Sequence, residues 1–75
     1  MLLGEKIKKL RKEKRLTQSE LAKILDVAPT AVSAWERNAN KPLMDKLSFM
    51  AGLFEVPVSY FFEKDTESTL SLIHI

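Results

Sequence analysis

Apolar residues recur along most of the chain at intervals of three and four, the period of helices that bury one stripe and solvate the rest. Leu3, Ile7 and Leu10 stand four and three apart, with Glu5, Lys6, Lys8, Lys9, Arg11 and Lys12 between them. That spacing predicts a first helix over residues 3–14. Thr17-Gln18-Ser19-Glu20 then has the pattern of a capping box, a hydroxyl N-cap with a carboxylate three residues on. The helix it opens is expected to bury Leu21, Ile24 and Leu25, with Ala22 as a small packing surface, and to end near Leu25 or Asp26. Pro29 suits the first turn of a third helix, where no intrahelical N–H is lost. This helix runs to about Arg37 and turns Ala31, Val32 and Trp35 inward. Only Asp26, Val27 and Ala28 separate the second helix from the third, so the two must cross steeply, as in a helix-turn-helix. A polar loop over residues 38–42 leads to a fourth helix over 43–54, with Leu47, Met50, Ala51 and Phe54 at helical spacing. Asp45 lies in its first turn, where the helix dipole favours an acid. Val56-Pro57 breaks the pattern, and residues 58–63 form a last short helix carrying Tyr60, Phe61 and Phe62. The expected class is all-α with five helices.

The length of 75 residues allows one domain near the lower limit for a core without staples. Cysteine is absent, which removes disulfides and thiolate zinc sites and fits a cytoplasmic setting. No apolar run approaches the roughly 20 residues of a membrane span. The single histidine, His74, sits at the far end of the chain, so no metal, cofactor or imidazole-based catalytic site is expected. Charge is unevenly spread. Residues 1–46 hold eleven Lys or Arg against six Asp or Glu, a balance of +5; residues 47–75 hold one Lys against four acids, a balance of −3. A basic front and an acidic back suit a surface facing a polyanion, although most of the first-helix lysines serve solubility.

The helix-turn-helix reading can be sharpened by its residues. Leu10-Arg11, Leu16-Thr17-Gln18-Ser19-Glu20-Leu21-Ala22, Val27, Val32-Ser33, Trp35-Glu36-Arg37, Pro42, Leu47, Ala51 and Val56 together resemble the lambda-repressor-like (Cro/C1, XRE-type) helix-turn-helix family. These are compact five-helix DNA-binding domains of bacterial and phage regulators, and the likeness covers about residues 4–63. The sequence departs from the family at four turns, where the family commonly has glycine and this chain has Arg15, Asp26, Asn38 and Glu55. Glycine suits a helix C-terminus because the left-handed conformation is free of strain for it. Ala28 also replaces the family's N-cap serine before the third helix. Modest stability is the expected consequence.

On the third helix the residues left outward are Pro29, Thr30, Ser33, Ala34 and Arg37. The family's base-contacting positions fall on Pro29, Thr30, Ser33 and Ala34. All four are small, and none offers the bidentate fork by which arginine selects guanine. Contact with thymine methyls and readout of DNA shape are therefore expected, unless the face is small because it packs on protein. Phosphate contacts are expected from Thr17 and Gln18 at the start of the second helix, where free N–H groups favour an anion. Arg37, Asn38, Asn40 and Lys41 would reach a phosphate on the other side of the groove, with a solvated loop as the alternative for Lys41. Trp35 shares a face with Val32 and belongs to the core. The resemblance implies an ion pair between Arg11 and Glu36. It also implies a homodimer on a two-fold symmetric operator in double-stranded DNA. The aromatic residues of the last helix exceed what its own packing needs, so Tyr60 or Phe62, with Phe49, are candidate dimer contacts, with core burial as the alternative. Residues 65–69 read as a polar linker and 70–75 as an apolar tail, so the domain is placed at 1–63 and residues 64–75 are a linker and tail of open role. A pairing strand, the start of a further domain, or a remnant would each fit.

The sequence thus points to a DNA-binding transcriptional regulator, most simply a repressor occupying an operator. An antitoxin-type regulator gripping a partner protein, or an interaction module that has lost DNA binding, are the alternatives. An enzyme is the weakest reading, because no nucleophile, base and orienting group can be assembled.

Overall fold

The computed structural model describes residues 1–63; the linker and tail readings for 64–75, with His74, lie outside the described residues. Four α-helices are followed by a 3-10 helix: α1 Leu3–Glu13, α2 Gln18–Leu25, α3 Pro29–Glu36, α4 Met44–Phe54, then Val58–Phe62. The fifth element tightens to the three-residue period, as short terminal turns often do.

One core joins all five. Ile7 and Leu10 of α1 meet Leu21, Ala22 and Leu25 of α2, Val32 and Trp35 of α3, Leu47, Met50, Ala51 and Phe54 of α4, and Phe61. Those of α1, α3 and α4 stand at helical spacing, and the one departure lies in α2. Ile24, expected inside, is 42% exposed. The helix has only eight residues, so Leu21 and Leu25, four apart, define its buried stripe. Ile24 is turned off that stripe and flanks a shallow notch shared with Phe49 of α4.

Helix ends fix the geometry. Thr17 and Glu20 form the capping box, with Glu20 N–H donating to Thr17 Oγ1 at 3.0 Å and Thr17 N–H to Glu20 Oε1 at 2.8 Å. Arg15, Asp26, Asn38 and Glu55 all adopt positive φ, between 58° and 60°. The residue after each sends its N–H five residues back: Leu16 to Arg11, Val27 to Ala22, Ala39 to Ala34 and Val56 to Ala51, at 2.9–3.1 Å. This is one closure used four times, and Leu16, Val27 and Val56 pack on the core behind it.

Long-range polar ties complete the frame. Gly4 N–H donates to Asn38 Oδ1 at 2.9 Å, so the start of α1 is capped by the loop after α3. Only glycine fits there: a Cβ on Gly4 would lie 2.2 Å from the Trp35 carbonyl oxygen. The Lys46 ammonium donates to the Leu25 carbonyl at 2.8 Å and caps the end of α2.

Candidate nucleic-acid interface

Helix α3 begins at Ala28, whose extended backbone has no side chain with which to cap, and Pro29 follows at the first helical position. Pro29 lacks an N–H, so the uncapped start leaves one fewer donor unsatisfied. With Val32, Trp35 and Glu36 buried, the opposite side carries Pro29 and Thr30 exposed, and Ser33 and Ala34 half-buried. The four small residues thus lie on a face that the molecule's own helices leave open at its N-terminal end. That end is the part of a recognition helix that reaches base edges. Arg37, Asn38, Asn40 and Lys41 are exposed just beyond the helix.

Behind this face lies a buried polar cluster. Arg11 Nε donates to Glu36 Oε2 at 2.6 Å and Arg11 Nη2 to Glu36 Oε1 at 3.1 Å, a two-pronged pair. Arg11 Nη1 also donates to the Leu16 carbonyl at 2.7 Å. Gln18 Nε2 reaches the same carboxylate, donating to Glu36 Oε1 at 3.0 Å. Helices α1, α2 and α3 therefore meet at one acid. Burial pushes the Glu36 carboxyl up, but hydrogen bonds from Arg11 and Gln18 and the charges of Arg11 and Lys8 outweigh it, leaving the group below its ordinary value.

The remaining sites predicted from sequence have mixed surroundings. Thr17 is exposed and its hydroxyl accepts from Glu20. The Asn38 side-chain oxygen is engaged with Gly4, which leaves its NH₂ group as the donor for any other partner. Phe49 and Phe62 are 54% and 53% exposed. Tyr60 is half-buried, packed edge-on to Phe61 with ring centres 5.8 Å apart. The Lys6 ammonium sits 5.2 Å from the Tyr60 ring centre and donates to the Tyr60 and Glu63 carbonyls. This buried Lys6 clamp escaped the sequence reading. Its signal was there, since residue 6 falls on the stripe between Leu3 and Leu10, where an ordinary solvated lysine does not belong.

Among the described residues no group of three or more acids, cysteines or histidines gathers to hold a metal, and no helix is long and apolar enough to cross a membrane. The geometry is that of a helix-turn-helix, and a helix-turn-helix family model matches residues 7–61. The chain belongs to that family, the lambda-repressor-like Cro/C1 or XRE type.

This helix-turn-helix chain is 35% identical over 71 residues to the HTH-type transcriptional activator BcrR of Enterococcus faecalis, covering 95% of this chain and 35% of that protein. It is 29% identical over 73 residues to Repressor protein C2 of Salmonella phage P22, covering 97% and 34%. Among solved structures, the P22 c2 repressor in complex with a synthetic operator superposes with a TM-score of 0.76 at 30% identity, covering 81% of this chain and 92% of that one. The biofilm regulator SinR in complex with DNA gives 0.74 at 33% identity, covering 83% and 100%. The chain spans about a third to a half of the length of the curated relatives it matches.

Proposed function

We propose that this chain is the DNA-reading domain of a transcriptional regulator, a repressor that occupies a two-fold symmetric operator as a homodimer. The observation that carries this is the open N-terminal end of α3: Pro29 and Thr30 stand exposed while Val32 and Trp35 anchor the other side in the core. Both the P22 c2 and SinR likenesses, each to a DNA-bound form, support it. In this reading α3 enters the major groove. Pro29 and Ala34 touch thymine methyls, and Thr30 and Ser33 each make one hydrogen bond. Thr17 and Gln18 contact one phosphate strand. Arg37, Asn38, Asn40 and Lys41 contact the other. Such a set fixes register by phosphates and leaves a larger share of specificity to DNA shape.

The role is carried out in the cytoplasm by binding alone, without catalysis or cofactor. Exposed Phe49 and Phe62 supply apolar surface for the second copy, while the Lys6 clamp leaves Tyr60 a smaller part. A partner protein in place of a second copy is the alternative occupant, and the likeness to SinR in its complex with SinI, 28% identical with a TM-score of 0.76, favours keeping it.

Enrichment of duplexes from a random pool, at two salt concentrations, tests the proposal. A shared motif with pseudo-two-fold symmetry and affinity falling steeply with salt is the expected result. A pool that stays random at both concentrations refutes it.

A further inference from the structure

Gln18 is held from behind. Its Nε2 lies 3.0 Å from Glu36 Oε1, and an ionised carboxylate only accepts, so the amide must turn its NH₂ group toward Glu36. One N–H is used there and a second remains on the same nitrogen. Glu36 is itself immobilised, gripped on Oε2 and Oε1 by Arg11, whose other arm is fixed on the Leu16 carbonyl. No buried side-chain nitrogen or oxygen among the described residues lacks a partner, so Arg11 and Glu36 are both satisfied behind Gln18.

Around Gln18 the first turn of α2 is selective. Thr17 N–H and Glu20 N–H are consumed by the capping box, whereas the N–H groups of Gln18 and Ser19 meet no acceptor among the described residues. An unrestrained glutamine here would lose rotamer and amide-flip freedom before its NH₂ could meet a phosphate, whereas one already held by Glu36 would not. We infer that Glu36 is a positioning residue for DNA binding, fixing the Gln18 amide so that its second N–H, and never its carbonyl, meets the phosphate at the start of α2. The buried acid is then more than the partner of Arg11: it carries the order of the core out to the interface. The inference rests on the DNA-binding reading above.

Gln18→Met, Glu36→Gln and the double variant test it, each titrated with the duplex that wild type enriches, at two salt concentrations. Gln18→Met leaves the Arg11–Glu36 pair in place and weakens binding roughly three- to tenfold. The salt slope stays unchanged, because a neutral amide releases no counterion. Glu36→Gln weakens binding by a similar factor, and the double variant is no weaker than either single change. Losses that multiply in the double variant, or Gln18→Met binding like wild type, overturn the inference. A second readout needs neither DNA nor a folded Glu36 variant. Gln18 is the chain's one glutamine, so nuclear relaxation of its side-chain amide is assignable and should report an ordered group in free wild-type protein. A mobile amide beside intact DNA binding ends this inference alone; failure of wild type to enrich any duplex ends the DNA-binding reading and this inference with it.

Discussion

Replacing Glu55 and Arg15 by glycine should stabilise the domain, and by unequal amounts. Both residues hold φ near 60°, Arg15 at 59° and Glu55 at 60°. An L-residue with a Cβ is strained there by roughly 1–2 kcal/mol. Glycine removes that strain but gains freedom in the unfolded chain, which takes back about 0.4–1 kcal/mol. A net gain of about 0.5–1 kcal/mol remains from the backbone alone. Charge then separates the two sites. Glu55 places a carboxylate at the negative end of α4, and its removal adds about 0.3 kcal/mol, whereas Arg15 is a cation at the end of α1 and its removal subtracts a similar amount. We therefore expect Glu55→Gly to gain about 1 kcal/mol and Arg15→Gly about half that. For a domain of this size, 1 kcal/mol moves the melting temperature by roughly 4–8 °C. Thermal melts followed by circular dichroism at neutral pH read the difference directly. Asn38→Gly is the internal control: asparagine tolerates the left-handed region, and its loss removes the bond to Gly4 N–H, so this variant should melt lower. A neutral or lower melt for Glu55→Gly, or an Asn38→Gly gain equal to it, would refute the reasoning.

Alanine at the two glycines should act in opposite directions. At Gly4 the new Cβ meets two backbone oxygens at 2.2 Å and 2.8 Å, so α1 must withdraw from α3 at a cost of about 2–3 kcal/mol; at Gly52 nothing lies within 4 Å and helix propensity gains about 1 kcal/mol. Equal melts for the two would contradict the packing described. Arg11→Ala should destabilise by about 3–5 kcal/mol at neutral pH by leaving Glu36 buried without its cation. Because the folded Glu36 carboxyl lies below its ordinary value, its contribution is complete above the usual carboxylate range and lost as pH falls through the lowered value. The gap between wild type and Arg11→Ala should accordingly narrow in acid, and chemical denaturation at several pH values would expose a gap that stays constant. Serine at Phe49 or Phe62, both half-exposed, should change stability by no more than about 0.5 kcal/mol while weakening self-association. Sedimentation of wild type as a monomer at high micromolar concentration would remove the dimer contacts.

Local physics made most of this fold legible. The helix boundaries came from the capping box at Thr17, the proline at Pro29 and the apolar stripes. The four unusual turn residues were identifiable from the family resemblance, which places glycine at each of them, and their φ near 60° bears that out. What the sequence hid was non-local. Asn38 caps a residue 34 positions away and Lys6 clamps carbonyls more than 50 positions on, and no spacing rule reaches so far. A lone glycine inside the first helical pattern hinted at a close backbone approach. Ile24 was misplaced for a different reason. In a helix of two turns the width of the buried face depends on what packs beside it, and here Leu21 and Leu25 fill the core while Ile24 stays at its rim beside Phe49 of α4. At the interface, the exposure of Pro29 and Thr30 followed from Val32 and Trp35 turning inward. The grip of Glu36 on Gln18 could not follow, since it required three helices already docked.

In the proposed complex the open end of α3 reads DNA sequence while the residues after it hold the backbone. Parallel enrichment with Thr30→Val and Arg37→Gln proteins tests it most directly. Thr30→Val should enrich a different motif from wild type, and Arg37→Gln should keep the wild-type motif, bind every duplex more weakly and lower the salt slope by about one. An unchanged motif for Thr30→Val, or a motif altered by Arg37→Gln, would rule out this division of labour between α3 and the loop after it.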